Sequence, residues 1–188
     1  EIIAAPSFSS EALEILSKKK NLRVLEMPTV HPEKSLFPWA YRSVGGGLLA
    51  QDFDEEKDSD EDFQIVSKRP PTTDEMTALK LMWCVGRYVK SNAIVCGDAQ
   101  GTTSVGMGQT SRVDAVNLCK MKAHMSLEGS VVASDAFFPF RDGVDALAGF
   151  GITAVVQPGG SIRDKEVIEA ADEHGMAMVF TGKRHFRH

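Results

Sequence analysis

The 188-residue chain is poor in cysteine, and its three, Cys84, Cys96 and Cys119, form neither an even set nor a Cys-x-x-Cys pair. That excludes a disulfide framework or zinc ribbon, suits a reducing compartment and predicts buried or inert thiols. No apolar run approaches the ~20 residues needed to cross a bilayer. No block of Lys and Arg offers the footprint expected for duplex DNA, so neither a membrane nor a nucleic acid is an expected partner. Motifs of familiar chemistry are also missing. There is no Gly-x-Ser-x-Gly elbow and no paired carboxylate with a clear partner. No His-x-Glu is followed by Pro-Cys-x-x-Cys, which removes the zinc deaminases. Walker loops, the Gly-x-Gly-x-x-Gly fingerprint and internal repeats are absent too. The chain opens EIIAAPSF, with neither an initiator Met nor the basic start of a signal peptide. The expectation is a segment of a longer polypeptide.

What is present suits a soluble domain: 43% hydrophobic and 25% charged residues are enough for one sizeable core. The net charge of −5 comes from one place. Residues 52–62, DFDEEKDSDED, hold eight acids and one lysine, and the rest of the chain sets 20 Lys and Arg against 18 Asp and Glu. The acidic run is expected to be a solvated loop with little fixed structure. Calcium is the sharper reading, but the EF-hand ligand order and turn glycine are missing. The slightly positive remainder permits anionic ligands.

The periodicity is that of an α/β protein. EIIAA and LRVLEM read as strands around the helical SSEALEILSKKK, residues 28–43 as a proline-punctuated loop, and GLLAQDF as a strand. Thr72 and Glu75 form a capping box before a helix over about 73–89. Strands AIVC, TSVGMG, SVVAS, ITAVVQ and MAMVFT then alternate with helices TSRVDAVNLCKMKAHM, RDGVDALAGF and DKEVIEAADEHG. That alternation predicts a central, largely parallel sheet covered on both faces, with ligands where strands end and helices begin.

Four segments fall at such places. Gly106 and Gly108 lead into a helix with Thr110, Ser111 and Arg112 in its first turn, an entry that accepts phosphate or carboxylate. The plainer reading is a tight turn with Ser111 as cap and Arg112 in solvent. Asn92, just before a strand, reads as a ligand contact or a helix cap. SDAFFPFRDG, residues 134–143, carries three phenylalanines and a proline between charges; Asp142 is expected to cap the next helix, which leaves Pro139 and Arg141 unexplained. QPGGSIRD is a glycine-rich turn with Ser161 as a candidate cap. TGKRHFRH ends the chain with three cations and two histidines; His185 and His188 as metal ligands compete with an anion-binding arginine or a solvated tail.

Taken in order, EIIAAPSFSSEALEIL, the segment from Gly47 to Gln51, KSNAIV, GMGQTSR, SDAFFPFRDGVD, QPGGSIRDKEVIEAADE and RHFRH resemble one family. It is that of the bifunctional purine biosynthesis proteins, which join AICAR formyltransferase to IMP cyclohydrolase. The resemblance covers residues 1–188 apart from the acidic run. It implies formyl transfer from 10-formyltetrahydrofolate to the 5-amino group of AICAR, without a covalent enzyme intermediate. It also implies a cytidine-deaminase-like fold without catalytic zinc. The chain would be the second, C-terminal half of the transformylase domain, with the upstream half and the cyclohydrolase domain outside it.

By motif, the resemblance makes Asn92, Arg112, Phe137 and Arg184 the AICAR contacts, Arg184 holding the phosphate. Val113, Pro139, Phe140, Asp142, Ser161 and Ile162 become the folate contacts. Ser91 and Asp135 are candidate oxygens for a structural potassium ion. The family's acid–base Lys-His pair is expected upstream, since no lysine here precedes a histidine. No catalytic residue is therefore assigned to this chain. A cytoplasmic homodimer with sites drawing on both subunits is also implied. The competing reading is a non-catalytic ligand-binding or dimerisation fragment.

Overall fold

The computed structural model describes residues 1–27, 39–54 and 58–187. The chain divides into two compact units, Glu1–Phe53 and Asp54–His188. In the first, β1 (Ile2–Ala5) pairs in parallel with β2 (Arg23–Glu26). Between them lies α1 (Ser10–Ser17), whose first turn is closed by Ser9 Oγ accepting from Ala12 N at 3.1 Å. A separate hairpin joins β3 (Trp39–Val44) to β4 (Gly47–Asp52) in antiparallel register. The loop expected over 28–43 is therefore too long, because residues 39–43 are strand. Trp39, Tyr41 and Val44 suit a pleated surface, and Gly45-Gly46 supplies a two-residue turn with φ +80° at Gly46. Residues 28–38 of that expected loop lie outside the described residues. None of the described residues of this unit is buried.

The second unit holds the core. Its six-stranded sheet has the order β5-β10-β9-β8-β6-β7, where β5 is Gln64–Ile65, β6 Ile94–Gly97, β7 Thr102–Gly106, β8 Val131–Ser134, β9 Ala154–Gln157 and β10 Ala177–Phe180. Strands β8, β9 and β10 are mutually parallel, whereas β6 runs against both its neighbours and β5 against β10. Four of the six strands thus point the same way, and the sheet is mixed, largely parallel. The departure from full parallel order arises where AIVC and TSVGMG are too close in sequence for a crossover and form a hairpin instead.

Side chains alternate between the sheet's faces, as the strand period requires. Val95, Val131, Ala133, Ala154, Val156, Ala177 and Val179 pack under α2 (Thr73–Gly86) with Leu79, Met82 and Trp83. Their neighbours Ile94, Cys96, Val132, Val155 and Met178 face α3 (Arg112–Met121), α4 (Asp142–Gly149) and α5 (Asp164–Glu173). Cys96 and Cys119 are buried there as free thiols, while Cys84 is an exposed free thiol. Among the described residues, no helix is long and apolar enough to cross a membrane.

One polar knot ties α2 to the strand starts. The Thr72–Glu75 capping box forms as expected, with Glu75 N donating to Thr72 Oγ1 at 3.1 Å and Thr72 N to Glu75 at 2.8 Å. Arg69 forks onto the Glu75 carboxylate at 2.8 and 3.0 Å and also donates to Gly175 O, at 2.6 Å, and to Thr153 O. Burial alone would raise the Glu75 carboxyl, but Arg69, the Thr72 N–H and Thr153 outweigh it and hold the group at about 2, against an ordinary 4.5. A lowered folded-state pKa means that the unfolded chain binds the extra proton, so this stability is present above pH 4.5 and is lost toward pH 2. Denaturant titrations should therefore show that Glu75→Gln costs about 3 kcal/mol at pH 7. The variant should also have a flatter loss of stability between pH 4.5 and pH 2 than the parent.

Candidate functional site

The register places every sequence-predicted site segment at one edge of the sheet. β8, β9 and β10 end together at that edge, and the loops from 135, 158 and 181 leave from it. Ile94, the first residue of β6, pairs with Ser134 and with Gly106, the last residues of β8 and β7. The Ser91-Asn92 segment and the 107–111 loop into α3 therefore open on the same edge. It is the C-terminal edge of the parallel strands, where open α/β sheets bind ligands.

At its centre is a buried ion pair. Arg112, with its side chain 5% exposed, donates to the fully buried Asp135 carboxylate and, at 3.0 Å, to Ala93 O. Asp135 Oδ1 also accepts from Ala93 N at 3.1 Å. The second Arg112 amino group reaches Asn92 Oδ1 at 3.3 Å. Arg112 is thus not in solvent, as the plainer reading had it, while Ser111 does cap α3, accepting from Asp114 N at 3.1 Å. Asp135 Oδ2 is buried without a hydrogen-bond partner. Ser91 Oγ lies in the same region and accepts from Arg187 N at 3.0 Å. No group of three or more His, Cys, Asp or Glu side chains could hold a metal ion among the described residues, and His188, one of the two candidate terminal ligands, lies outside them.

The phenylalanines of 134–143 have three different environments. Phe138 is fully buried in the core, Phe137 is half-buried, and Phe140 is 48% exposed. Buried Gln157 fixes the loop, accepting from Phe138 N at 2.8 Å. The signal for Gln157 was present in the sequence, as a lone amide ending the apolar strand AVVQ. The expected Asp142 cap is not made: α4 begins one residue earlier than that role requires, with Arg141 as N-cap, and Asp142 Oδ1 accepts only from its neighbour Gly143 N at 2.8 Å. Arg141 bridges α4 to α5 through Asp145, at 2.9 and 3.0 Å, and Glu173, at 2.6 Å, which accounts for its presence. A Cβ on Gly143 would lie 2.6 Å from the Phe138 ring, so that position admits no side chain without moving the ring.

On the neighbouring turn, the Asp164 carboxylate accepts from Gly160 N at 2.7 Å and Ser161 N at 3.1 Å, and Ser161 Oγ accepts from Arg163 N. Ser161 is thus a turn former rather than the cap of α5. Ile162 is fully exposed, and the Arg163 guanidinium lies 4.7 Å from the Phe140 ring centroid. This joins the second and third segments through a residue that sequence reasoning did not single out. Pro139 is half-buried beside Phe140, and Val113 is half-buried in the first turn of α3.

The C-terminal tail runs along the edge on main-chain bonds. Thr181 N donates to Gln157 O, Gly182 N to Pro158 O, His185 N to Asp135 O and Ser91 N to Arg187 O. Arg184 is thereby brought to 5.9 Å from the Phe137 ring centroid. The acidic run is more fixed than expected. Asp58 pairs with Arg87, Asp62 with Lys183, and Asp54 with His185, and residues 60–62 form a 3-10 turn. Arg87 on one side and Lys183 and His185 on the other, far apart in the sequence, meet the acidic run here, which no local pattern could reveal. Residues 55–57 of the run lie outside the described residues.

The profile of the AICARFT/IMPCHase bienzyme family matches residues 1–122. The chain belongs to this family. Over its whole length it is 53% identical to the bifunctional purine biosynthesis proteins PurH of Streptococcus thermophilus and Streptococcus pneumoniae, and 51% identical to that of Acidithiobacillus ferrooxidans. It spans 36–37% of the length of these relatives. In this AICARFT/IMPCHase family member, replacing one partner of the buried pair strands the other's charge. Asp135→Asn should lower unfolding free energy by about 3 kcal/mol in denaturant titrations, far more than Glu173→Gln at the exposed Arg141 bridge.

Proposed function

We propose that the chain supplies the nucleotide- and folate-binding residues of an AICAR formyltransferase within a protein that is also an IMP cyclohydrolase. The reaction moves the formyl group of 10-formyltetrahydrofolate to AICAR, giving FAICAR and tetrahydrofolate in purine biosynthesis. The observation that carries this reading is the convergence of Asn92, Arg112, Phe137 and Arg184 on one sheet edge. The whole-length similarity to bifunctional purine biosynthesis proteins supports it.

Each residue has a physically distinct task. Arg184 is exposed and offers a planar charged fork to phosphate oxygens. Phe137 gives a ring face to the heterocycle. Arg112 is already neutralised by Asp135, so its part is to hold Asn92: with Oδ1 occupied, the Asn92 amide directs its N–H donors toward a ligand acceptor. The exposed Phe140 and Ile162, with Pro139, Val113, Ser161 and Asp142, form the folate side, where a pterin would cover apolar surface now open to water. The amine attacks the formyl carbon and gives up a proton to a base; the bond from that carbon to N10 breaks, and N10 takes up a proton as tetrahydrofolate leaves. The base and the group stabilising developing charge are assigned to a Lys-His pair elsewhere in the parent protein.

The finer architecture follows the same reading. The chain, residues 1–188, is the second, C-terminal cytidine-deaminase-like half of the transformylase domain, built without catalytic zinc and assembled into a cytoplasmic homodimer. The buried, unpartnered Asp135 Oδ2 and nearby Ser91 suit a structural potassium ion. A second reading, a ligand-binding or dimerisation fragment without catalysis, is favoured by the lack of a Lys-His pair in the chain.

Two measurements test these readings. In calorimetric titration with AICAR, Arg184→Ala should weaken binding by about tenfold or more, and Phe137→Ala by a smaller factor. Unchanged affinity in both would remove the site assignment. The pure 188-residue chain should form no FAICAR from AICAR and 10-formyltetrahydrofolate, and measurable turnover would show that the Lys-His pair is dispensable.

A further inference from the structure

The acidic run has no part in the function above, yet three of its carboxylates are engaged around Arg184. Asp54 Oδ2 lies 2.6 Å from His185 Nδ1, Asp62 Oδ2 3.2 Å from Lys183 Nζ, and Asp58 Oδ2 2.9 Å from the Arg87 guanidinium. Asp54 also lies 3.7 Å from Arg87, the residue that closes α2. The His185 ring, 3% exposed, packs 4.7 Å from that of Trp83 on α2. The two residues flanking Arg184 are therefore both anchored, one of them in the α2 face.

Neighbouring side chains of an extended segment point to opposite sides. With Lys183 and His185 held, Arg184 is turned outward, exposed, with its guanidinium 5.9 Å from Phe137 and 5.8 Å from Phe186. A long flexible arginine loses rotamer freedom when it binds an anion, and fixing its backbone beforehand removes part of that cost. The pairs are also well placed to persist: the Arg87 side chain is 12% exposed and that of Asp58 15%, so water screens them less than surface pairs.

We propose that Asp54, Asp58 and Asp62 act together as a positioning strap, in which Asp54 and Asp62 grip His185 and Lys183 and Asp58 is anchored to Arg87, so that Arg184 is preset for a phosphate monoester. The strap touches no ligand and acts through the tail. This inference rests on the reading of Arg184 as the phosphate contact.

The test uses the full chain, with AICAR and its riboside, which lacks the phosphate, as ligands. The Asp54→Asn/Asp62→Asn double variant should weaken AICAR binding by about tenfold and riboside binding by less than about twofold. Added to Arg184→Ala, it should produce no further loss. Hydrogen exchange at residues 183–187 should quicken in the double variant, and Asp54→Glu should retain most of the affinity. Equal weakening of both ligands, or none, overturns the strap while leaving Arg184 in place. If Arg184→Ala itself does not separate AICAR from the riboside, the phosphate reading fails. Exchange at 183–187 then decides the strap alone: quickened exchange supports it and unchanged exchange overturns it.

Discussion

Arg112 and Asp135 meet out of reach of water at the point where three connections of the sheet come together, and the site is organised around that pair. Two ions cannot be withdrawn from solvent unless each satisfies the other and nearby dipoles complete their shells. Here the completion comes from Ala93, whose N–H and C=O bond to the acid and the base respectively. The start of β6, the entry to α3 and the end of β8 are thereby held together by one electrostatic requirement. Asn92 is oriented by the same guanidinium, and the tail is tied by its His185 N–H to the Asp135 carbonyl.

Buried packing and exposed polar and aromatic surface are separated along the strands. The opposite end of the sheet is closed by Arg69, whose guanidinium satisfies Glu75 and two strand-entry carbonyls. The middle is packed with small and branched apolar side chains on both faces. What remains at the C-terminal edge is free to expose the Phe140 ring and the Arg184 guanidinium, which a core would not tolerate. Phe138 and Phe140, two residues apart, mark the passage from one regime to the other.

Most of the second unit could be read from the sequence because its signals are local. Alternation within VVAS and AVVQ, the Thr72–Glu75 box and the Ser111 cap each depend on residues a few positions apart. Contacts across long sequence separations could not be read. Asp54 meeting His185, and Arg112 meeting Asp135, are products of topology, so the acidic run looked merely solvated and Arg112, in the plainer reading, a side chain left in solvent. The hairpin at 39–52 was half missed because prolines upstream masked the β-forming Trp39 and Tyr41. Asp142 misled for a different reason: acids are common both at caps and in the first turn of a helix, and only the geometry distinguishes them.

The tail that crosses the edge is fastened through its backbone at Thr181, Gly182, His185 and Arg187, to partners that are themselves backbone atoms or the Ser91 hydroxyl. Its path is therefore set by main-chain bonds that a different side chain at 184 would leave in place. That position behaves like a fitting on a fixed rail. Its side chain could be exchanged without rebuilding the sheet beneath it.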